Sequence, residues 1–347
     1  MATPYKTQPN TAFWKHFIAN QQSSLTEIFT PRFSIDVNTR IATAGSCFAQ
    51  HISNALQRSS IQIMDMEPAP FGLNTDISKL NHFGIYSARY GNIYTARHLR
   101  QLVNEAITNN IQTEVWQRPD GKYVDAMRPQ VEQHGFPSEE LVILHRKAHI
   151  ARVRQMLVDM NVFIFTLGLT ETWQNKDNDL CFPIAPGVIA GNFEPTQYHF
   201  VNFSYIQVLE DITQALAAIN QLRREHQKTD VKVLLTVSPV PLAATASNQH
   251  VFTANCYSKS ILRAIAGELT QTMPNVDYFP SYELITSPWR EQPAYNESGR
   301  EVKPEAVANV MQLFLEIYQL QRAEAAHRVD NNTDPLCDEI VLGAINT

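Results

Sequence analysis

The stretch RIATAGSCFA at residues 40–49 decides the fold of this 347-residue chain. It begins with a short β-rich run and passes through a glycine and a serine, and from Phe48 onward apolar residues recur at helical spacing. A strand that leads at once into a helix is the repeating unit of parallel α/β sheets. The stretch therefore predicts the first core strand, a tight turn at Gly45, Ser46 and Cys47, and the helix that follows.

The same alternation of short apolar runs and longer amphipathic runs continues along the chain. It predicts an α/β fold, a three-layer sandwich with a mostly parallel five-stranded sheet of the flavodoxin-like type, because parallel strands need crossover helices on the faces of the sheet. Ligands of such sheets bind beyond the carboxyl ends of the strands. Strands are predicted over residues 40–44, 61–64, 162–167, 231–237 and 276–279, and helices over residues 48–56, 141–160, 205–226, 255–272 and 304–320.

Residues 1–322 are interpreted as a single domain with one interruption. Residues 66–137 are rich in proline, asparagine, glycine and tyrosine, and they break the alternation of strands and helices. We expect this segment to be an insertion over the carboxyl edge of the sheet. Residues 323–347 are interpreted as a peripheral C-terminal tail.

The composition excludes several classes of protein. The formal net charge is -6, and no block of lysine or arginine is present that would neutralise a nucleic-acid backbone. The longest apolar runs are far too short to cross a bilayer, and residues 1–20 lack the apolar stretch of a secretory signal. A cytoplasmic location is therefore expected. The 4 cysteines are scattered without a paired spacing, so neither a zinc site nor a disulfide framework is indicated.

Two histidines, His145 and His149, have the i, i+4 spacing that can hold a metal ion on a helix. Arg146 and Lys147 lie between them, and further arginines follow on the same predicted helix. We therefore interpret this helix as a solvated basic face, and we predict no metal and no cofactor.

The turn at Gly45, Ser46 and Cys47 is the first candidate site for chemistry. A hydroxyl or thiol at the end of a strand lies at the mouth of the sheet, where the N–H groups of the next helix favour an activated nucleophile and an oxyanion. The alternative is that Ser46 only caps the helix, because serine is a preferred N-cap residue. Cys47 is a rival nucleophile, since a thiolate is stabilised in a first helical turn, although this position is expected to face inward.

Polar residues also follow other predicted strands. In residues 166–173 a buried strand ends at Gly168, and Thr170 or Glu171 could point into the same pocket. A turn with a helix cap is the simpler interpretation of that stretch. His250 follows the proline-rich end of a later strand, and residues 86–95 are dense in hydrogen-bonding groups that a core does not require.

These motifs together resemble the GSCFA family, which is named after a motif that stands here as Gly45-Ser46-Cys47-Phe48-Ala49. The resemblance extends over residues 40–320. The family in turn resembles the SGNH (GDSL-like) hydrolases, three-layer α/β esterases and O-acyltransferases. Further matching motifs lie at residues 86–95, 166–173, 236–241, 257–260 and 278–283.

The resemblance implies a role for each matching residue. It makes Ser46 the nucleophile, with Gly91 and Asn92 where these enzymes place an oxyanion-hole glycine. Thr170 and Glu171 replace an Asn-Asp pair that normally completes the hole. The implied function is a serine esterase or O-acyltransferase that acts on O-acylated, chiefly acetylated, carbohydrate in bacterial surface polysaccharide metabolism. The alternative is a degenerate member that binds a glycan or acyl ligand without turnover.

The general base is where the sequence departs from the SGNH pattern, which places an Asp-x-x-His before the C-terminal helix. Here Glu301 takes the place of that histidine, and the only later histidine is His327, beyond the helix. Three explanations are open: His250 is the base, Glu301 is a base whose pKa is raised by burial, or activity is lost. The simpler interpretations are a helix-capping role for His250 and a solvated helix-entry carboxylate for Glu301.

Overall fold

The computed structural model describes residues 3–19, 25–59, 61–290, 292–320 and 342. The predicted tail at residues 323–347 therefore lies, apart from Leu342, outside the described residues. The strands are β1 (Ile41–Gly45), β2 (Val115–Gln117), β3 (Tyr123–Asp125), β4 (Val162–Leu167), β5 (Glu171–Asn175), β6 (Cys181–Phe182), β7 (Tyr198–Asn202), β8 (Lys232–Val237) and β9 (Val276–Tyr278). The α-helices are α1 (Trp14–Ala19), α2 (Ala49–Gln57), α3 (Thr75–Leu80), α4 (Ala96–Thr108), α5 (Glu139–Asp159), α6 (Tyr205–Glu225), α7 (Val251–Thr272), α8 (Ser281–Thr286) and α9 (Pro304–Ile317).

The central sheet is parallel, with the strand order β1-β4-β8-β9. This confirms the predicted α/β sandwich, but the sheet has 4 strands instead of five. The predicted strand at residues 61–64 is wrong, because it contributes a single parallel bridge between Ile63 and Ile41. The Met66 N–H then donates to the Ser87 carbonyl at 2.8 Å. The chain thus leaves the sheet edge to pair with the segment around residue 87.

Successive residues of the strands face two separate hydrophobic cores. Phe165 and Leu235 pack into the core shared with α4, α5, α6 and α7, whereas Ile164 and Leu234 pack into the core shared with α2, α8 and α9. This alternation follows from the two-residue period of a strand. It gives the three layers that the sequence predicts. In the described part of the chain, every helix is too short or too polar to span a lipid bilayer.

Helix α4 lies within residues 66–137 and is not predicted by the sequence pattern. Its apolar residues Leu99, Leu102 and Val103 pack into the first core, and the helix contacts α5 and α6. The Thr95 hydroxyl accepts a hydrogen bond from the His98 N–H at 3.2 Å and caps its start. Part of this segment is therefore a constituent of the helical layer.

Where residues 66–137 meet α5, charged side chains form a buried cluster, which we call the buried ion network. Arg146 pairs with Glu105, and its Nη1 lies 3.4 Å from Asp125 Oδ2. Arg128 Nε donates to the same carboxylate oxygen at 2.8 Å. The members of the network are Glu67, Arg89, Glu105, Asp125, Arg128, Arg146 and His149.

The network lowers the pKa values of Asp125 and His149, for different reasons. Burial acts to raise the pKa of Asp125, but the charges of Arg146 and Arg128 outweigh burial and lower that pKa to about 2. Burial and then the charge of Arg128 lower the pKa of His149 to about 3. His149 Nδ1 lies 2.7 Å from Glu67 Oε2, so a neutral imidazole donates to a carboxylate there.

The prediction that α5 presents a solvated basic face is wrong at Arg146 and His149, whose exposures are 1% and 0%. The two residues share a helix face with the buried Val142 and Val153. That face turns toward the acids of the 66–137 segment, which the sequence pattern does not place there. Within the described residues, no group of three or more His, Cys, Asp or Glu side chains is arranged to hold a metal ion.

Candidate functional site

The end of β1 passes unusually close to β4. Gly45 has φ +134°, and a Cβ on this residue would lie 2.5 Å from the carbonyl oxygen of Thr166. Only glycine fits this approach and this backbone conformation. The Ser46 N–H then donates to the same carbonyl at 3.2 Å. The turn after β1 is therefore fixed directly against the neighbouring strand.

Ser46 is buried, with an exposure of 2%, and its Oγ has no hydrogen-bond partner among the described residues. Helix α2 begins at Ala49, and its N-cap residue is Phe48, without a side-chain cap. The structure thus excludes the alternative in which the Ser46 hydroxyl caps the helix. An unpartnered buried hydroxyl costs free energy. Because Oγ makes no hydrogen bond, the position of Ser46 is fixed by its backbone.

Gly168, the first residue after β4, packs directly on Ser46. A Cβ at Gly168 would lie 2.9 Å from Ser46 Cβ and 3.0 Å from the Tyr94 carbonyl oxygen. The buried Lys259 of α7 donates from Nζ to the Gly168 carbonyl at 2.8 Å. Gly168 therefore leaves space for the serine, whereas Gly45 allows the close approach of β1 to β4 beside it.

Asn92 is bonded to a buried cluster beside the same turn. Gln50 Nε2 donates to Asn92 Oδ1 at 3.2 Å, and the Tyr86 hydroxyl lies 2.8 Å from the same oxygen. The Tyr86 hydroxyl also lies 2.9 Å from the Ser46 carbonyl oxygen. The Ile93 N–H donates to the Gly45 carbonyl at 2.8 Å. Asn92 is thus tied to the Ser46 turn through both its side chain and its backbone neighbour.

Gly91 turns away from this cluster. It has φ +70°, and a Cβ there would lie 3.5 Å from Arg128 Cβ and 3.6 Å from Val131 Cγ2. Glycine is favoured here by the positive φ, whereas a Cβ would meet its neighbours at ordinary van der Waals distances. In the described geometry Asn92, and not the Gly91 Cα, contacts the cluster beside Ser46.

Thr170 and Glu171 follow Gly168 and enter a second, antiparallel sheet. Glu171 is the first residue of β5, which pairs with β6 and β7, so the helix-cap interpretation of this stretch is wrong. The Thr170 N–H donates to Ser258 Oγ at 3.0 Å, and its hydroxyl donates to Asn202 Oδ1 at 2.7 Å. Glu171 Oε1 accepts from the Thr245 hydroxyl at 2.9 Å. In this geometry the one hydroxyl proton of Thr170 is used by Asn202.

His250 is the exposed N-cap residue of α7. Its Nδ1 accepts a hydrogen bond from the Phe252 N–H at 3.2 Å. One turn further along, Ala254 packs in a small apolar cluster with Leu169 and Tyr94, next to Gly168. The histidine therefore stands near the carboxyl edge of the sheet, but its acceptor nitrogen is used by the cap.

Glu301 is exposed on the loop before α9. Its Oε2 accepts from Asn296 Nδ2 at 2.5 Å. The same loop reaches the proline-rich stretch after β8, where the Tyr295 hydroxyl donates to the Pro239 carbonyl at 2.9 Å. Glu301 is thus on a loop that contacts the carboxyl edge, without a bond to Ser46. Cys47, the rival nucleophile, is a buried cysteine in the turn that forms no disulfide with a described residue, with an exposure of 3%.

The structure brings Gly45, Ser46, Gly168 and Asn92 together, and it keeps His250 and Glu301 on neighbouring loops. Sequence reasoning missed the roles of Lys259 and Ser258, which lie in a motif that carried the family resemblance. It also did not assign Gln50, which follows the motif by one residue. The polar density of residues 86–95 indicated Tyr86 and Asn92.

The structure is thus a parallel three-layer α/β domain with a buried serine between strand ends. A family model described as GSCFA family matches residues 40–314, from the start of β1 into α9. The chain belongs to the GSCFA family. No curated protein and no solved structure matches the chain.

Proposed function

We propose that the protein is a serine esterase or O-acyltransferase in which Ser46 is the nucleophile. The observation that carries the proposal is the Ser46 hydroxyl, buried and unpartnered between Gly45 and Gly168 at the carboxyl end of the sheet. A buried hydroxyl without a partner is a cost that folding alone does not explain. It is the arrangement expected of a group reserved for a substrate at the edge where ligands of such sheets bind.

The reaction is a double displacement. Ser46 Oγ attacks the acyl carbonyl and gives its proton to a base, the ester C–O bond breaks, and the departing alcohol takes a proton from that base. Water or a sugar hydroxyl then attacks the acyl-serine by the reverse steps and restores the free hydroxyl. The Asn92 amide and backbone N–H groups of the turn hold the developing oxyanion.

His250 is the base in this proposal. It is one helical turn from Ala254, which packs beside the Gly168 turn, and catalytic hydrogen bonds often form only when substrate is bound. To act, the ring must leave the Phe252 N–H, because a neutral imidazole has one acceptor nitrogen. Glu301 is the second candidate, on the loop that contacts the same edge.

The substrate class rests on the resemblance alone. Members of the SGNH group act on esters, and the family association with surface polysaccharides favours an O-acetylated carbohydrate as the acyl donor or acceptor. This assignment is separable from the chemistry at Ser46, since fold-level analogy does not fix a substrate.

The experiment is labelling of the purified protein with a fluorophosphonate probe, beside hydrolysis of p-nitrophenyl acetate. We expect labelling of the wild type and none of Ser46→Ala. Cys47→Ala is the matched control in the same turn and keeps labelling. Selective loss of activity in Cys47→Ala, or on alkylation, would instead assign the thiol.

His250→Asn tests the base without disturbing the helix. Asparagine is a good N-cap residue, so the variant keeps the cap on the Phe252 N–H and removes the imidazole. We expect labelling to slow by about 10²–10⁴-fold, the usual contribution of a general base. Glu301→Gln, tested in parallel, is expected to keep its rate. Slow labelling of Glu301→Gln, with an unchanged labelling rate for His250→Asn, would instead identify Glu301 as the general base.

The second candidate function is binding of a glycan or acyl ligand without turnover. It is favoured by the absence of any hydrogen-bond partner, and therefore of any base, at Ser46 Oγ among the described residues. A folded wild type that is not labelled by the probe would support this function.

A further inference from the structure

The side-chain amide of Asn92 is held in one orientation by two buried donors. Asn92, Gln50 and Tyr86 have exposures of 2%, 4% and 3%. Gln50 Nε2 and the Tyr86 hydroxyl both lie within hydrogen-bond distance of one atom of the Asn92 amide, at 3.2 and 2.8 Å. The three side chains therefore form one cluster, not three separate contacts.

The chemistry of the donors identifies that atom. An amide nitrogen cannot accept hydrogen bonds, whereas a carbonyl oxygen accepts two. Gln50 Nε2 can only donate, so the Asn92 atom that it faces is Oδ1, and the Tyr86 hydroxyl, whose single proton lies between this oxygen and the Ser46 carbonyl, is next to the same atom. The direction of the Nδ2 donor end is fixed as a consequence.

The cluster is attached to the Ser46 turn. The Tyr86 hydroxyl lies 2.9 Å from the Ser46 carbonyl oxygen, and the Ile93 N–H donates to the Gly45 carbonyl at 2.8 Å. A shift of the turn would thus break bonds to the cluster. The tyrosine connects the amide of Asn92 to the nucleophile's own peptide group.

We infer that Tyr86 and Gln50 are positioning residues that fix the Asn92 amide as an oxyanion donor. The inference rests on the proposed function of Ser46. A donor held in place before the reaction stabilises the transition state without reorganisation. Hydrogen bonds to Oδ1 also polarise the amide and strengthen the N–H donor at its other end.

Tyr86→Phe removes the hydroxyl and keeps the ring that packs on Tyr90, with ring centroids 5.7 Å apart. We expect the maximal rate of fluorophosphonate labelling to fall about tenfold, with the concentration for half-maximal rate unchanged. Asn92→Ala should cost about 10²–10³-fold, as for other oxyanion donors. Tyr90→Phe is the matched control, because that hydroxyl bonds to Thr43, and it should keep the wild-type labelling rate.

A double-mutant cycle tests whether Tyr86 acts through Asn92. In the Asn92→Ala background, Tyr86→Phe should produce no further loss, because the amide that it positions is gone. An equal tenfold loss in both backgrounds would overturn the inference. Gln50→Met, which keeps the volume and removes the donor, should show the same coupling.

The positioning is also measurable without turnover. With asparagine selectively labelled with ¹⁵N, the Asn92 Nδ2 proton pair, assigned by its loss in Asn92→Ala, should shift in Tyr86→Phe and stay in Tyr90→Phe. Resonances that do not move in Tyr86→Phe would overturn the positioning role even if Ser46 reacts with the fluorophosphonate probe. A wild-type protein that does not react with the probe overturns the proposed function, while the chemical-shift change still decides the orientation of the Asn92 amide.

Discussion

Two buried polar regions of this molecule are built in opposite ways. In the buried ion network every charged side chain makes at least one hydrogen bond or ion pair. At the Ser46 turn the central hydroxyl makes none among the described residues. Buried polar groups are normally satisfied. In the network, Arg146 Nε and His149 Nε2 lack a partner in the described part of the chain, but both side chains are bonded through another nitrogen, whereas the only polar side-chain atom of Ser46 is unbonded. The contrast separates polar side chains that are bonded within the fold from a hydroxyl that is not.

The two regions also differ in charge. The network holds arginines against carboxylates, and its burial is tolerated because opposite charges compensate each other. Beside the Ser46 turn, the hydroxyl of Tyr86 and the amides of Gln50 and Asn92 are neutral, and the buried ammonium of Lys259 donates to the carbonyl of the adjacent Gly168. Each of the following predictions changes one region and leaves the other unchanged.

The largest expected effect is at Arg146. Arg146→Met leaves Glu105 and Asp125 without their shared partner in the interior, and breaking a buried pair in this way costs about 3–5 kcal/mol. Urea denaturation measures the free energy of unfolding. Arg224→Met is the control, because its pair with Asp230 is exposed, and it should give no measurable change. Equal losses in both variants would contradict the role assigned to the network.

Gly168→Ala tests the space around the serine. The new methyl group would lie 2.9 Å from Ser46 Cβ and 3.0 Å from the Tyr94 carbonyl, and overpacking of this kind costs about 1–3 kcal/mol. Labelling of Ser46 should also be lost. Gly267→Ala makes the same change inside α7, against the movable end of Arg263, and should stabilise by about 0.5–1 kcal/mol. Normal labelling of Gly168→Ala would show that the contact is not critical.

Acid should destabilise the protein through His149 of the network and through the buried His98, which is subject to the charge of Arg146. Burial, with the charges of Arg146 at His98 and Arg128 at His149, lowers the pKa of each ring to about 3. The unfolded chain binds these protons near pH 6.5, so protons favour unfolding between the two values. The contribution of each neutral histidine to the free energy of unfolding is fully present above pH 6.5, and it should fall by about 1 kcal/mol at pH 5.5. His98→Gln should reduce that pH dependence by one proton, with the exposed His134→Gln as control.

The smallest effect is expected at the serine itself. Ser46→Ala removes a hydroxyl that has no partner and should raise the free energy of unfolding by up to about 1 kcal/mol. Ser258→Ala removes an equally buried hydroxyl that accepts the Thr170 N–H, and should lower that free energy by about 1–3 kcal/mol. A loss of stability in Ser46→Ala would mean that the hydroxyl has a structural role.

The sequence predicts the parts of the fold that depend on local pattern. The strands that became β1, β4, β8 and β9 are apolar runs of strand length, and the helices between them carry an apolar face. Residues 61–64 have the same composition, but they form only a single bridge to β1. The chain then leaves the sheet edge, where the Met66 N–H donates to the Ser87 carbonyl. Helix α4 was missed because the surrounding segment is rich in turn-forming residues, although Leu99, Leu102 and Val103 carry the helical period.

The sequence predicts the site in part. Ser46 and Gly168 follow predicted strands, where chemistry is expected, and Asn92 lies in the polar stretch at residues 86–95. The burial of Arg146 and His149 depends on acids contributed by a distant segment, which no local pattern encodes. The base is the open part of the prediction, since neither His250 nor Glu301 is bonded to Ser46.

The pairing of β1 with β4 has a consequence for synthesis of the chain on the ribosome. Arg40 and Asn161, which meet where the two strands begin, are 121 residues apart. At translation speeds of roughly 5–20 residues per second, the first strand waits roughly 6–24 seconds for its neighbour to be made. During that interval an apolar strand with free edges is exposed to other nascent chains. Holding chaperones that cover such segments should therefore determine how much active protein a cell obtains.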